Sequence, residues 1–244
     1  MIKSLFIILW IILNTLVMGI VSITVSFFSK KGNAPHITGR YWGKSILWAS
    51  GIKVEVKGLS NLDHAEPCVF ICNHQSNFDI PVLFAALPTQ FRWIAKAELF
   101  KIPLFGWAMR GAGYISIERH NRKSAIKSMG VAAEKIKSGV SVMIFPEGTR
   151  SPDGNIGHFK KGGFILAMNA GVPIVPLVIN GTWSIMSKNS LKITPGNVRL
   201  SILPPVDVSE YSNKNKLIDT VRDRICQEFD SGRVSGRDDA EDAV

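Results

Sequence analysis

Cys68-Val69-Phe70-Ile71-Cys72-Asn73-His74-Gln75-Ser76-Asn77-Phe78-Asp79 joins an apolar run to a polar loop, and a second apolar stretch begins at Ile80. A short run without polar interruption, bounded by turn residues, predicts a strand buried on both faces. Residues 78–87 then read as a helix, with Asp79 placed to cap it and Pro81 near its first turn, where no N–H is needed. Upstream, Ile52, Val54 and Val56 alternate with Lys53, Glu55 and Lys57, the pattern of a half-exposed strand. Further strands are expected at 91–95, 114–118, 140–145, 173–179 and 198–203. Between two of them, Ile126, Met129, Ala133 and Ile136 form an apolar stripe opposite Lys123, Lys127, Lys135 and Lys137, ended by Gly139. Strands alternating with helices define an α/β domain. Such a domain places its chemistry in loops after the carboxyl ends of strands.

The 244 residues, 46% of them hydrophobic, suffice for one sizeable core and a short appendage but not for two comfortable domains. Net charge is +10, and residues 230–244 hold a local balance of −3, which leaves +13 on the rest. A basic body of that kind suits a polyanion: nucleic acid, an anionic membrane surface or a phosphorylated small molecule. Cys68, Cys72 and Cys226 are odd in number and lack paired spacing, which favours reduced thiols in a cytoplasmic domain. Within one strand Cys68 and Cys72 would lie about 13 Å apart, too far to share a metal, so both are assigned to the core. His36, His64, His120 and His158 show no ligand spacing, and no metal is expected.

Residues 5–28 are 24 consecutive uncharged positions, mostly Ile, Leu, Val, Phe and Trp. As a helix they would extend about 36 Å, against a hydrocarbon core of about 30 Å. No small-residue cleavage site precedes Lys30 and Lys31, so the segment is expected to stay as a membrane element rather than leave as a signal peptide. Lys30 and Lys31 outweigh Lys3, which favours a cytoplasmic location for everything downstream; spanning and re-entrant paths both remain open. Residues 37–50, with Ile37, Tyr41, Ile46 and Trp48 among Arg40 and Lys44, fit either an amphipathic interfacial helix or a helix packed in the core. The chain thus divides into a membrane-anchoring segment at 1–50, an α/β domain at 51–229 and an acidic tail at 230–244 expected to be disordered.

Two loops carry the chemistry. In the first, His74 at a strand end and Asp79 at the next helix start are one tight turn apart, so the carboxylate can fold back onto the imidazole. It would fix the tautomer and leave the other ring nitrogen to take a proton from a hydroxyl. Alone, this spacing equally suits a loop histidine and a helix cap. The second loop, Phe145-Pro146-Glu147-Gly148-Thr149-Arg150-Ser151, also follows a buried strand, and Phe159-Lys160-Lys161-Gly162 comes soon after. Gly148 lets backbone approach a ligand, and Arg150 offers a planar fork for a phosphate. Alone, this too could be an ordinary turn.

Together the loops resemble the glycerolipid acyltransferase family, most closely the bacterial 1-acylglycerol-3-phosphate acyltransferases. The family's N-H-x-S-x-x-D block is matched by Asn73, His74, Ser76 and Asp79, and its F-P-E-G-T-R-S block by Phe145 to Ser151. Its G-x-[IF]-x-I-[DE]-R block is matched by Gly113, Ile115, Ile117, Glu118 and Arg119, and a V-P-I-V-P-type strand by Val172 to Pro176. Lys96 resembles a family lysine that precedes the G-x-[IF]-x-I-[DE]-R block. The register holds from about residue 40 to 205.

The resemblance implies a mixed, largely parallel sheet flanked by helices, the glycerol-3-phosphate acyltransferase-like fold, preceded by an N-terminal membrane helix motif. It implies that His74, oriented by Asp79, deprotonates an acceptor hydroxyl that attacks acyl-CoA or acyl carrier protein, with a backbone N–H holding the oxyanion. Arg150, with Arg119, Lys96 and Lys160 or Lys161, would bind the acceptor phosphate. Glu147, Gly148 and Thr149 belong to the same pocket, Glu147 as a candidate hydrogen-bonding partner of glycerol. The implied product is phosphatidic acid made from lysophosphatidic acid, with no cofactor beyond the donor, at a bacterial inner membrane with the catalytic domain on its cytoplasmic side. Glycerol 3-phosphate, a lysophospholipid or a lyso-aminolipid remain alternative acceptors. A serine hydrolase would need a G-x-S-x-G elbow, which is absent, and a nucleic-acid binder would need a recognisable module, so nucleic acid is not an expected partner.

Overall fold

The computed structural model describes residues 2–62, 67–118 and 121–241. Seven strands form one sheet: β1 (Ile52–Lys57), β2 (Val69–Cys72), β3 (Phe91–Lys96), β4 (Ile115–Ile117), β5 (Ser141–Ile144), β6 (Ile174–Asn180) and β7 (Gly196–Ile202). Each lies where the apolar patterning places it, with ends shifted by at most two residues. The helices are α1 (Ile2–Ser26), α2 (Asn33–Ser50), α3 (Asp79–Ala86), α4 (Phe105–Gly111), α5 (Arg122–Lys137), α6 (Gly162–Ala170), α7 (Thr182–Ile185) and α8 (Lys214–Glu241).

Strand order is β1-β7-β6-β2-β5-β3-β4. From β6 across to β4 all neighbours run parallel, β7 is antiparallel to β6, and β1 follows β7 in parallel. The sheet is therefore mixed and largely parallel. The carboxyl ends of β6, β2 and β5 lie side by side, so the loops after them share one edge.

Alternation along β2 explains the uninterrupted apolar run. Phe70 and Cys72 enter a cluster with Ile46 and Leu47 of α2 and Val82 and Leu83 of α3. Val69 and Ile71 enter the opposite cluster with Ile136 of α5, Phe164 of α6 and Val221 and Ile225 of α8. Helices thus cover both faces, as expected of a parallel sheet. Helix α3 comes close enough to α2 that a Cβ on Gly43 would sit 2.7 Å from the Pro81 carbonyl oxygen.

Several details differ from the sequence reading. Ile126 does not belong to the inward stripe of α5: it is 63% exposed, while Ser128, Ala132 and Ile136 face the sheet at four-residue spacing. Asp79 is the first residue of α3 rather than its cap; Phe78 holds the cap position and contributes no side-chain bond. Helix α8 runs to Glu241, past residue 230 where the acidic tail was expected to begin, and its apolar face reaches the core as far as Phe229. Cys68 and Cys72 are fully buried, as their apolar surroundings suggest.

Helix α1 is long and apolar enough to cross a membrane. Its inward face, however, carries its polar residues beside Ile7. Ser4, Asn14, Gly19 and Ser22 are buried, whereas Leu5, Leu9, Leu13, Leu16 and Ile20 are exposed. Asn14 Nδ2 donates to the Trp42 carbonyl oxygen at 3.2 Å, and Trp42 Nε1 donates to Thr15 Oγ1 at 3.0 Å. Ser4 Oγ donates to the Ile193 carbonyl oxygen at 3.4 Å and accepts from the Ile193 N–H at 3.1 Å. In helix α2, Ile46 lies in the core while Ile37, Tyr41 and Trp48 are exposed.

Candidate active site

The loop after β2 enters from the sheet's centre. Asn73 anchors it: its Nδ2 donates to the Ile179 carbonyl oxygen at 2.9 Å and its Oδ1 accepts from the Ile179 N–H at 2.8 Å, tying β2 to β6 beyond their ladder. His74 follows, and its Nδ1 lies 2.7 Å from Asp79 Oδ2. The same oxygen accepts from the N–H groups of Gln75 at 2.7 Å and Ser76 at 2.9 Å, so the loop closes around the carboxylate. The carboxylate is wholly buried, and these donors occupy that oxygen.

An ionised Asp79 makes Nδ1 the protonated ring nitrogen, since a carboxylate can only accept. Nε2 is then the basic nitrogen, and it has no hydrogen-bond partner among the described residues. The ring stacks on Phe145, centroids 3.9 Å apart and planes 9° apart, and Phe145 in turn lies against Trp93 at 5.5 Å. The His74 side chain is 15% exposed, enough to reach a substrate while its plane is fixed.

The loop after β5 is bonded to the first one. Glu147 Oε1 accepts from the His74 N–H at 2.8 Å and Oε2 from the Gly157 N–H at 2.9 Å. Burial pushes the Glu147 carboxyl above its usual range, against the opposing effect of these two N–H groups. With each oxygen holding a backbone donor and the residue 7% exposed, Glu147 joins the two loops. Gly148 adopts a left-handed φ of 71°, and the Lys160 side chain lies across it, with Nζ 2.8 Å from where a Cβ would stand. The Ser151 N–H donates to the His74 carbonyl oxygen at 2.7 Å, so Arg150 leaves the chain beside the His74 loop. The Arg150 guanidinium has no hydrogen-bond or ion-pair partner among the described residues. Thr149 and Lys161 are exposed.

The other candidates are placed differently. Lys96 ends β3, two strands from β2, and pairs with Glu98 at 3.4 Å on the surface. Gly113 takes a φ of 72° before β4, close to Lys135 and Arg92 rather than to His74. Arg119, His64 and His120 lie outside the described residues. His36 is buried among Phe84, Phe91 and Tyr114, and His158 is exposed. No group of three or more His, Cys, Asp or Glu side chains is placed to hold a metal among the described residues.

Two participants escaped the sequence reading. Ser76 was recognised only as part of a motif, yet its Oγ donates to the Met186 carbonyl oxygen at 2.6 Å. Thr182 was not singled out, although its Oγ1 lies 2.5 Å from Asp79 Oδ1. Its signal was positional: it opens α7 with one residue between it and the end of β6, whose apolar residues and prolines read as packing.

A buried carboxylate holding an imidazole stands at the carboxyl edge of a largely parallel sheet, beside an arginine without a partner among the described residues, an arrangement able to take up a proton. Residues 53–180 match the family described as Acyltransferase, and the chain belongs to that family. It is 37% identical over 195 residues to the chloroplastic 1-acyl-sn-glycerol-3-phosphate acyltransferase BAT2 of Brassica napus, covering 79% of this chain and 55% of that protein. It is 35% identical over 195 residues to 1-acyl-sn-glycerol-3-phosphate acyltransferase alpha of Homo sapiens, covering 79% and 69%. The chain spans about half the length of the plant relatives it matches. Its fold superposes on the crystal structure of the 1-acyl-sn-glycerophosphate (LPA) acyltransferase PlsC of Thermotoga maritima with a TM-score of 0.83, at 29% identity and 95% coverage of both chains.

Proposed function

We propose that this chain transfers a fatty acyl group from acyl-CoA or acyl carrier protein to the sn-2 hydroxyl of 1-acylglycerol 3-phosphate, forming phosphatidic acid. The observation that carries the reading is the His74–Asp79 pair, with Nδ1 committed to the carboxylate and Nε2 unpartnered. Nε2 takes the hydroxyl proton as the oxygen attacks the thioester carbonyl. Asp79 compensates the imidazolium charge that forms. The tetrahedral intermediate then collapses with cleavage of the C–S bond, and the departing sulfur receives the proton from Nε2. No covalent acyl-enzyme is needed.

Arg150 grips the acceptor phosphate, and Lys160, lying over Gly148, adds a second positive charge. The names of the relatives support this acceptor, and so does the basic body of the chain. Membrane association follows from the exposed apolar face of α1. Pinned by its polar stripe against α2 and the 193 region, α1 lies along one leaflet, here the cytoplasmic leaflet of a bacterial inner membrane, rather than standing upright across it. That posture holds the site at the surface where acceptor and product reside.

The test offers detergent-solubilised protein a panel of acceptors with each donor: 1-acylglycerol 3-phosphate, glycerol 3-phosphate, a lysophospholipid and a lyso-aminolipid. Thiol release matched by phosphatidic acid, and strongest with the first acceptor, is the expected result. Preference for another acceptor would overturn the substrate assignment, and thiol release without any acceptor would make the protein a thioesterase.

A further inference from the structure

We infer that Thr182 is a positioning residue for the acyl transfer proposed above, holding the outer oxygen of Asp79 and so setting the orientation and charge of the carboxylate that faces His74. Asp79 is fully buried, and its Oδ2 takes three donors: the His74 ring and the N–H groups of Gln75 and Ser76. Oδ1 has one partner among the described residues, the Thr182 hydroxyl at 2.5 Å. Thr182 is itself fully buried, so water does not compete for either atom. Because a carboxylate only accepts, the hydroxyl proton is committed to Oδ1.

The chain is built to deliver this contact. Gly181 turns from β6 into α7 with a φ of 99°, and a Cβ there would stand 2.5 Å from the Asn197 carbonyl oxygen. At the far end of α7, the Met186 carbonyl oxygen accepts from Ser76 Oγ at 2.6 Å. Both ends of the segment are thus fastened to the loop that carries His74, and at the first end the fastening atom is the acid of the pair.

The consequence is electrostatic. A hydrogen bond to Oδ1 draws charge away from Oδ2 and fixes the plane of the carboxylate. Without it the carboxylate would stabilise the imidazolium more strongly, because more of its charge would fall on the oxygen facing His74. His74 would then hold a proton at higher pH, the neutral base would appear later as pH rises, and the proton would pass less readily to the leaving sulfur.

The experiment compares Thr182→Val, which keeps shape, and Thr182→Ser, which keeps the hydroxyl, with the unaltered full chain. For Thr182→Val we expect kcat to fall about threefold, the equivalent of half a pH unit in the proton affinity that the leaving sulfur must overcome, with both KM values nearly unchanged. The acid limb of kcat/KM should move up by about half a pH unit, the sign set by the stronger hold on the imidazolium. Thr182→Ser should restore rate and limb. If the Val variant does not fold, Thr182→Ala makes the same comparison against Ser. An unmoved acid limb, or a loss that Ser does not repair, would overturn the inference and leave Thr182 as packing. The midpoint of the His74 ring titration, followed by NMR without substrate, reads the same coupling even if the unaltered protein acylates none of the tested acceptors. Failure of the proposed function and failure of this inference are therefore distinguishable.

Discussion

Arg150 and Glu147 sit three residues apart and are bound in opposite ways. The planar fork of Arg150 has no partner among the described residues, and Lys in its place would keep the charge but lose the paired N–H geometry. We expect Arg150→Lys to raise the acceptor KM roughly 10- to 100-fold with the donor KM almost constant, following a loss of about 1.5 to 3 kcal/mol. A defect confined to the donor would reassign the arginine to the phosphates of CoA. Glu147, by contrast, has both oxygens filled by backbone N–H groups. In Glu147→Gln the amide can still accept from His74, but its NH2 would meet the Gly157 N–H, donor against donor, at about 1 to 3 kcal/mol. Removing a charge that burial already disfavours offsets part of this cost, so the change should appear in kcat more than in stability. A rise in acceptor KM alone would return Glu147 to the glycerol. Residue types and spacing made His74, Asp79 and Arg150 legible as candidates. They could not show that Glu147 faces inward, because only the folded loops decide which donors its oxygens meet.

At the scale of elements, the seven strands were legible because burial on one or both faces imposes a pattern on short runs of sequence. Helices were read less well. Ile126 belongs to the apolar stripe of α5 by type, yet the helix rotates so that Ser128 and Ala132, small enough for close approach, face the sheet instead. In α2 the informative residue is His36. Burial, reinforced by Arg92 and Arg40, lowers its pKa from 6.5 to about 3. The folded protein keeps His36 neutral, while the unfolded chain binds a proton below 6.5, so stability is full above that pH and is lost as pH falls toward about 3. Between pH 6.5 and pH 5 this group alone should remove about 1.5 kcal/mol. His36→Leu, close in volume, should flatten that limb of a denaturation series measured against pH. An equally steep decline in the variant would place the acid sensitivity elsewhere.

For the whole molecule, composition signalled a membrane helix but not its posture. A hydropathy reading sees 24 uncharged residues and cannot see that Asn14, Gly19 and Ser22 turn inward. Placing Glu at Leu9 and Leu16 together, both on the exposed face, should sharply reduce association with anionic vesicles while leaving thermal stability in detergent within a degree or two of the original, since core packing is untouched. Retained vesicle binding would mean that another surface carries the attachment. Helices α1 and α2 also reach the core cluster of the sheet through Ile7, Ile46 and Leu47.

The account rests on one atom, Nε2 of His74, taking the proton of the acceptor hydroxyl, and a single-turnover comparison of the unaltered protein with His74→Ala reads it most directly. Both would be loaded with donor and acceptor in detergent and followed for product and free thiol, with folding and acceptor binding measured alongside. His74→Ala should bind acceptor normally and form product about 10²- to 10⁴-fold more slowly, the range for loss of a general base. Product formation at the unaltered rate by the Ala variant would contradict the account.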